Sequence, residues 1–100
     1  MIRHICMFQL KNEFNGKSKA ENLSKAVELS QAIREIPSVA RFEIVTNHHG
    51  TPENNYDLAL IFDFEDIEEL NKYQVHPKHL AFAEFIHEAR ENRACIDYEL

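Results

Sequence analysis

Only two glycines and three prolines punctuate these 100 residues, too few for a disordered, Pro/Gly-rich chain. Two cysteines, Cys6 and Cys95, stand far apart in the sequence. That excludes a zinc ribbon or a multi-disulfide scaffold and points to a reducing, cytoplasmic setting, where a disulfide between the two is not expected. Basic charge is in deficit: 11 Lys and Arg against 17 Asp and Glu leave a formal charge of −6. Nucleic-acid backbones and anionic membranes both call for a basic patch, so neither is an expected partner. No uncharged apolar run approaches the length of a membrane span, and Met1-Ile2-Arg3-His4 is not expected to open a signal peptide. What remains, 44% apolar and 28% charged, is the composition of one globular domain over residues 1–100 with a single modest core.

Period-2 and period-3.6 patterns divide the chain. Residues 2 to 10 read as a strand, with Ile2, His4, Cys6, Phe8 and Leu10 on a face turned toward helices, and Arg3, Ile5, Met7 and Gln9 on the other. A polar loop is expected next. Ser18-Lys19-Ala20-Glu21 then has the form of a capping box opening a helix that carries Leu23, Ala26, Val27, Ser30 and Ile33 on one stripe and stops at Pro37. A second strand lies between Ser38 and Thr46, and residues 47–55 have loop composition. From Tyr56 to Phe64, Leu58, Leu60, Phe62 and Phe64 alternate with Asp57, Ala59, Ile61 and Asp63. Asp66 and Glu69 then cap a short helix expected to bury Ile67, Leu70 and Tyr73. Pro77 starts a further helix running to about Glu91, and residues 94–100 form a last strand. The order is β-α-β-β-α-β with the second α split. That is the α+β, ferredoxin-like βαββαβ plan: an antiparallel sheet with its helices on one face. The uncovered face sets Ile5, Met7, Ala59 and Ile61 inside a charged frame, which suits twofold sheet-to-sheet pairing into a dimeric α/β barrel.

The chemistry gathers around Lys72-Tyr73-Gln74-Val75-His76-Pro77-Lys78-His79. Pro77 removes a donor, fixes φ and pushes His76 out of the α region, so the chain breaks there. His79, Phe82, Ala83 and Ile86 then share one helical face, which turns an imidazole toward the interior. A histidine on such a face is either a hydrogen-bonded core or cap residue or a general base. His76 and His79 at i, i+3, and the adjacent His48 and His49, each lack further ligands nearby, so no metal and no other cofactor is expected.

These stretches resemble the stress-responsive dimeric α/β-barrel (Dabb) family. The resemblance runs through Ile2-Arg3-His4-Ile5-Cys6-Met7-Phe8, Ile36-Pro37, Tyr56-Asp57, the block from Tyr73 to His79, and Asp97-Tyr98. It implies a homodimer with a pocket between the sheet and the helices of each subunit. It also implies roles, taken from a plant polyketide cyclase of the family that closes a poly-β-ketone thioester by aldol chemistry. There the residue matching His79 is the general base, the carboxylate matching Asp97 orients it, the phenol matching Tyr73 holds substrate, and the His matching His4 shares the pocket. Two departures speak against a long polyketide substrate: Leu58 stands where the cyclase has a further His, and the first helix offers Leu23, Ala26 and Val27 in place of aromatic lining.

The expected pocket walls are Cys6, Phe8, Leu58, Leu60, Phe62, Phe82 and Ile86. The expected function is binding of a small apolar or carbonyl-containing molecule by a homodimer, with cofactor-independent cyclase- or lyase-like acid/base chemistry at His79. The alternative is a non-catalytic stress-responsive structural or interaction protein. Simple alternation in the last strand groups Ile96, Tyr98 and Leu100, so Asp97 meets the helices only if those three residues cover the open face.

Overall fold

The computed structural model describes residues 1–100. Strand β1 (Ile2–Leu10) is followed by a small hairpin, β2 (Glu13–Phe14) and β3 (Lys17–Ser18), and by helix α1 (Lys19–Ser30) with a 3-10 turn, Gln31–Glu35. Next come β4 (Arg41–Thr46), β5 (Leu58–Phe64), α2 (Ile67–Gln74), α3 (Pro77–Ala89) and β6 (Arg90–Glu99). The main sheet has the order β4-β5-β1-β6, and every neighbouring pair is antiparallel. This is the ferredoxin-like plan. None of the helices is long and apolar enough to cross a membrane.

Local chemistry accounts for the boundaries. Both halves of the Ser18–Glu21 capping box are formed, and the Asp66 side chain accepts from the Glu69 N–H at 3.0 Å. At the split, Pro77 occupies the first turn of α3, and His76 caps it through Nδ1, which accepts the Lys78 N–H at 3.1 Å. Lys78 also pairs with Glu35, tying the start of α3 to the 3-10 turn. Asp57 precedes β5 rather than opening it. Its buried carboxylate accepts the Leu10 N–H at 2.8 Å and meets Lys19 at 3.4 Å, which holds the end of β1 to the start of α1.

Two expectations need correction here. The residues after β1 form a hairpin rather than a plain loop, because Asn15 and Gly16 both adopt positive φ (55° and 74°). That is the backbone of a two-residue primed turn, for which Asn-Gly is the favoured pair. Ile67 is 62% exposed instead of buried, whereas Leu70 and Tyr73 on the same helix are buried. Ile67 is the first residue of α2, one turn ahead of Leu70.

The core lies between the sheet and the helices. Cys6, Phe8, Leu10, Leu58, Leu60, Phe62 and Phe64 from the strands meet Ala26, Ile33, Ile36, Leu70, Tyr73, Phe82 and Ile86. On the opposite face the register sets Ile96, Ile5 and Ile61 in one row and Ala94, Met7, Ala59 and Val45 in the next. A row of Tyr98, Arg3, Asp63 and Arg41 borders them, and Arg3 grips Asp63 through two bonds of 2.8 and 3.0 Å.

Candidate functional site

Alternation along β1 delivers His4, Cys6 and Phe8 to the helix side of the sheet, and the β1–β6 register places Asp97, Cys95 and Arg93 directly opposite them. The helix side is closed by Tyr73 near the end of α2 and by His79, Phe82 and Ile86 of α3. Between these walls lies a cavity of about 580 Å³. Its floor is apolar, with Cys6, Phe8, Leu60, Phe82 and Ile86. One end carries His4, Tyr73 and His79, and the rim carries Glu84, His87, Glu88, Arg90 and Arg93. Of the expected walls, Leu58 and Phe62 do not reach the cavity. Both are sealed in the core, where Phe62 packs between Phe42, Phe64 and Tyr73.

His79 donates its Nδ1–H to the Gln74 carbonyl at 2.9 Å, a bond across the Pro77 break. A carbonyl only accepts, so in the neutral ring Nε2 is left with the lone pair. Burial holds this imidazole below its ordinary titration range against the Gln74 hydrogen bond, which acts to raise it, and the electrostatic influence of His4 and Arg93 adds to burial. Tyr73 lies against it, with ring centroids 4.4 Å apart. Desolvation raises the phenol well above its usual value, so it remains a donor at neutral pH.

Asp97 is on the helix side of the sheet, but its partner is not the expected one. It accepts the Nδ1–H of buried His4 at 2.5 Å, and His79 is oriented by the Gln74 carbonyl instead. The reason is register: Asp97 stands directly across from His4 on the adjacent strand, while Gln74 and His79 flank the same helix break. Ile96 and Tyr98 turn to the open face, as the placement of Asp97 requires. The site thus contains two separately positioned imidazoles.

Cys6 and Cys95 form a disulfide, contrary to the expectation of free thiols. Their Cα atoms are 4.3 Å apart as directly opposed residues of neighbouring strands, a pairing that sequence distance concealed. A ring nitrogen of His4 and these two sulfurs fall within 4.8 Å of one another, a grouping with the donor types of a zinc or copper site. In the disulfide neither sulfur is a thiolate, so this state offers no thiolate ligand set. His76 spends Nδ1 on its cap, and His48 turns Nδ1 to the His49 carbonyl.

Sequence reasoning missed Arg90, Arg93 and His87 on the rim, and the Gln74 carbonyl. Starting the last strand at Arg90 would have put Arg93, Cys95 and Asp97 on one face by simple alternation.

No curated protein sequence matches the chain. Solved structures match over nearly all of it. A dimeric protein of unknown function with a ferredoxin-like fold from Bacteroides fragilis is 26% identical, with a TM-score of 0.80 over 99% of this chain and 95% of the other. A Dabb family protein from Mesorhizobium loti is 24% identical, with a TM-score of 0.73 over 99% and 95%. The hydroxynitrile lyase of Passiflora edulis is 17% identical, with a TM-score of 0.78 over 99% and 92%. Residues 2–100 match the family model of the stress responsive A/B barrel domain, Dabb, and the chain belongs to that family.

Proposed function

We propose that this protein is a homodimer that binds a small, largely apolar carbonyl compound in the cavity and carries out cofactor-independent proton transfer on it through His79. The observation that carries this reading is the pairing of an open cavity with His79, whose Nδ1 is committed to the Gln74 carbonyl while burial favours the neutral ring. An imidazole held in one tautomer and kept uncharged near neutral pH is suited to take a proton from carbon next to a carbonyl. The Tyr73 hydroxyl stands beside it as a donor for the enolate oxygen that forms when the C–H pair moves toward the carbonyl. The proton on Nε2 is then available for return to carbon or to a leaving group, which is the economy of a lyase or cyclase. His4, steadied by Asp97, supplies a second fixed imidazole at the same end of the cavity. The Passiflora edulis protein with a similar fold is a hydroxynitrile lyase, which agrees with a lyase reading, and the dimeric relative from Bacteroides fragilis supports pairing of two copies. The rows around Ile5, Met7, Ala59 and Ile61 are the surface offered for that pairing.

A second reading, a non-catalytic structural or interaction protein, draws on the close aromatic packing of Tyr73 against Phe62, Phe64 and His79. A thermal-shift screen of small carbonyl compounds on wild type and His79→Ala separates the two. Ligands that raise the melting temperature of wild type by binding the native state, and fail to do so for a folded His79→Ala dimer, are expected. An absence of ligands together with unfolding of His79→Ala would leave the structural reading.

A further inference from the structure

The inference deepens the reading of the cavity as a ligand site and rests on it: the charge on the rim selects the ligand. In a chain with a formal charge of −6, arginines have acids to spare, and the arginines here are largely engaged. Arg3 is bonded to Asp63, Arg41 to Glu43, Arg34 to Gln31 and the Phe42 carbonyl, and Arg90 to His87. Arg93 is the exception: its guanidinium forms neither a hydrogen bond nor an ion pair with any side chain or carbonyl, whereas Arg90, the other guanidinium of the rim, is bonded to His87.

Its position is set by the fold. Arg93 pairs with Phe8 across the β1–β6 ladder and shares the inner face of β6 with Cys95 and Asp97. It therefore lines the same cavity as Tyr73 and His79, close enough for its charge to act on both. Arg93 and Asp97 stand four positions apart on extended strand, a backbone distance of about 13 Å along the sheet. That leaves room for a short apolar body between a charged group held at the rim and a reacting carbon at the imidazole end. Two acids, Glu84 and Glu88 of α3, line the same cavity, and neither forms an ion pair with Arg93. The unbonded guanidinium of Arg93 offers one carboxylate a partner, while Glu84 and Glu88 oppose a second negative charge in the ligand.

We propose that Arg93 anchors the carboxylate of the ligand, which makes the ligand class an apolar monocarboxylic acid, aryl or short alkyl, whose carbonyl-bearing or acidic carbon reaches His79. The guanidinium fork matches a carboxylate with two parallel bonds, a geometry that neither an amide nor an alcohol reproduces. Arg93 acts in specificity and positioning, and the proton transfer itself is left to His79.

The test uses the full chain, with phenylacetate, 4-phenylbutyrate, phenylacetamide and phenylmalonate as probes, each titrated by NMR and calorimetry at pH 7. The expected result is that a monocarboxylate binds wild type, that the amide and the dicarboxylate bind about tenfold to hundredfold more weakly, and that Arg93→Gln reduces acid binding to the level of the amide. Arg93→Lys, which keeps the charge and loses the fork, is expected to fall between the two. An edge-strand side chain exposed to solvent is replaceable without unfolding, which the melting curve of each variant checks. Equal binding of acid and amide, insensitive to Arg93→Gln yet lost in His79→Ala, would overturn the carboxylate assignment and leave the cavity as a ligand site. No binding of any probe would overturn both.

Discussion

His79 illustrates how much a single backbone acceptor decides. The Gln74 carbonyl chooses its tautomer, and burial chooses its charge state. Because the folded imidazole titrates below the ordinary value of 6.5, the unfolded chain binds the extra proton in the interval between them. The contribution of His79 to stability is therefore complete above about pH 6.5 and fades as the pH falls through its folded value. An NMR titration of the ring protons should show this depressed midpoint, and Arg93→Gln should move it upward, since the guanidinium is one of the charges holding it down. A midpoint at or above 6.5 would remove the neutral base. The other imidazole has its own test. Asp97→Asn is expected to disturb the ring-nitrogen pattern of His4 and leave that of His79 unchanged, as read by long-range nitrogen-proton correlation. A changed His79 pattern would restore the dyad inferred from family resemblance. The sequence carried the residue types at this site and the break at Pro77, but not who bonds to whom. Asp97 lies eighteen positions from His79 and ninety-three from His4, yet only the strand register, which a linear pattern does not contain, makes the distant one its partner.

Among the elements, the clearest patterns translated directly. β5 alternates without interruption, and its even residues are all buried; both helix caps formed where a hydroxyl or carboxylate preceded an acid by three positions. The hairpin after β1 escaped notice because its strands are two residues each, too short for periodicity, although Asn15-Gly16 announces the turn. β6 escaped in part for a different reason. Its exposed, polar first residues look like the end of a helix, and what makes them strand is the ladder to β1, with a register shift at Gln9/Leu10. The Cys6–Cys95 bond fastens this edge strand to its neighbour and closes a loop of 89 residues in sequence separation. Reduction with a dithiol is expected to lower stability by about 2–4 kcal/mol in a urea or guanidinium titration, the usual effect of opening a long loop. An unchanged midpoint would mean that the strand pairing is sufficient without it.

At the level of the whole molecule, the fold leaves one face of its sheet without helices. Ile96, Ile5 and Ile61 form an apolar row there, continued by Ala94, Met7, Ala59 and Val45. Ile61→Glu at the centre of this surface is expected to give a folded monomer in sedimentation velocity. Helix-side contacts such as Phe8 with Phe82 are untouched by the change. If Ile61→Glu sediments like wild type, the copies do not pair through this face. Phe62, one residue on, points the opposite way and is fully buried, so truncating it acts on the core instead. Two adjacent residues of β5 thus separate assembly from folding, as strand geometry requires.

That alternation has its largest effect in β6. Arg93 and Asp97 look inward at the cavity, while Ile96 and Tyr98 look outward at the bare sheet. Whatever settles on the outer side presses on the very ribbon that frames the cavity, with a single backbone thickness between them. Occupancy within one subunit and grip between two are then readings of the same strand, and a molecule that tightens one should be felt by the other.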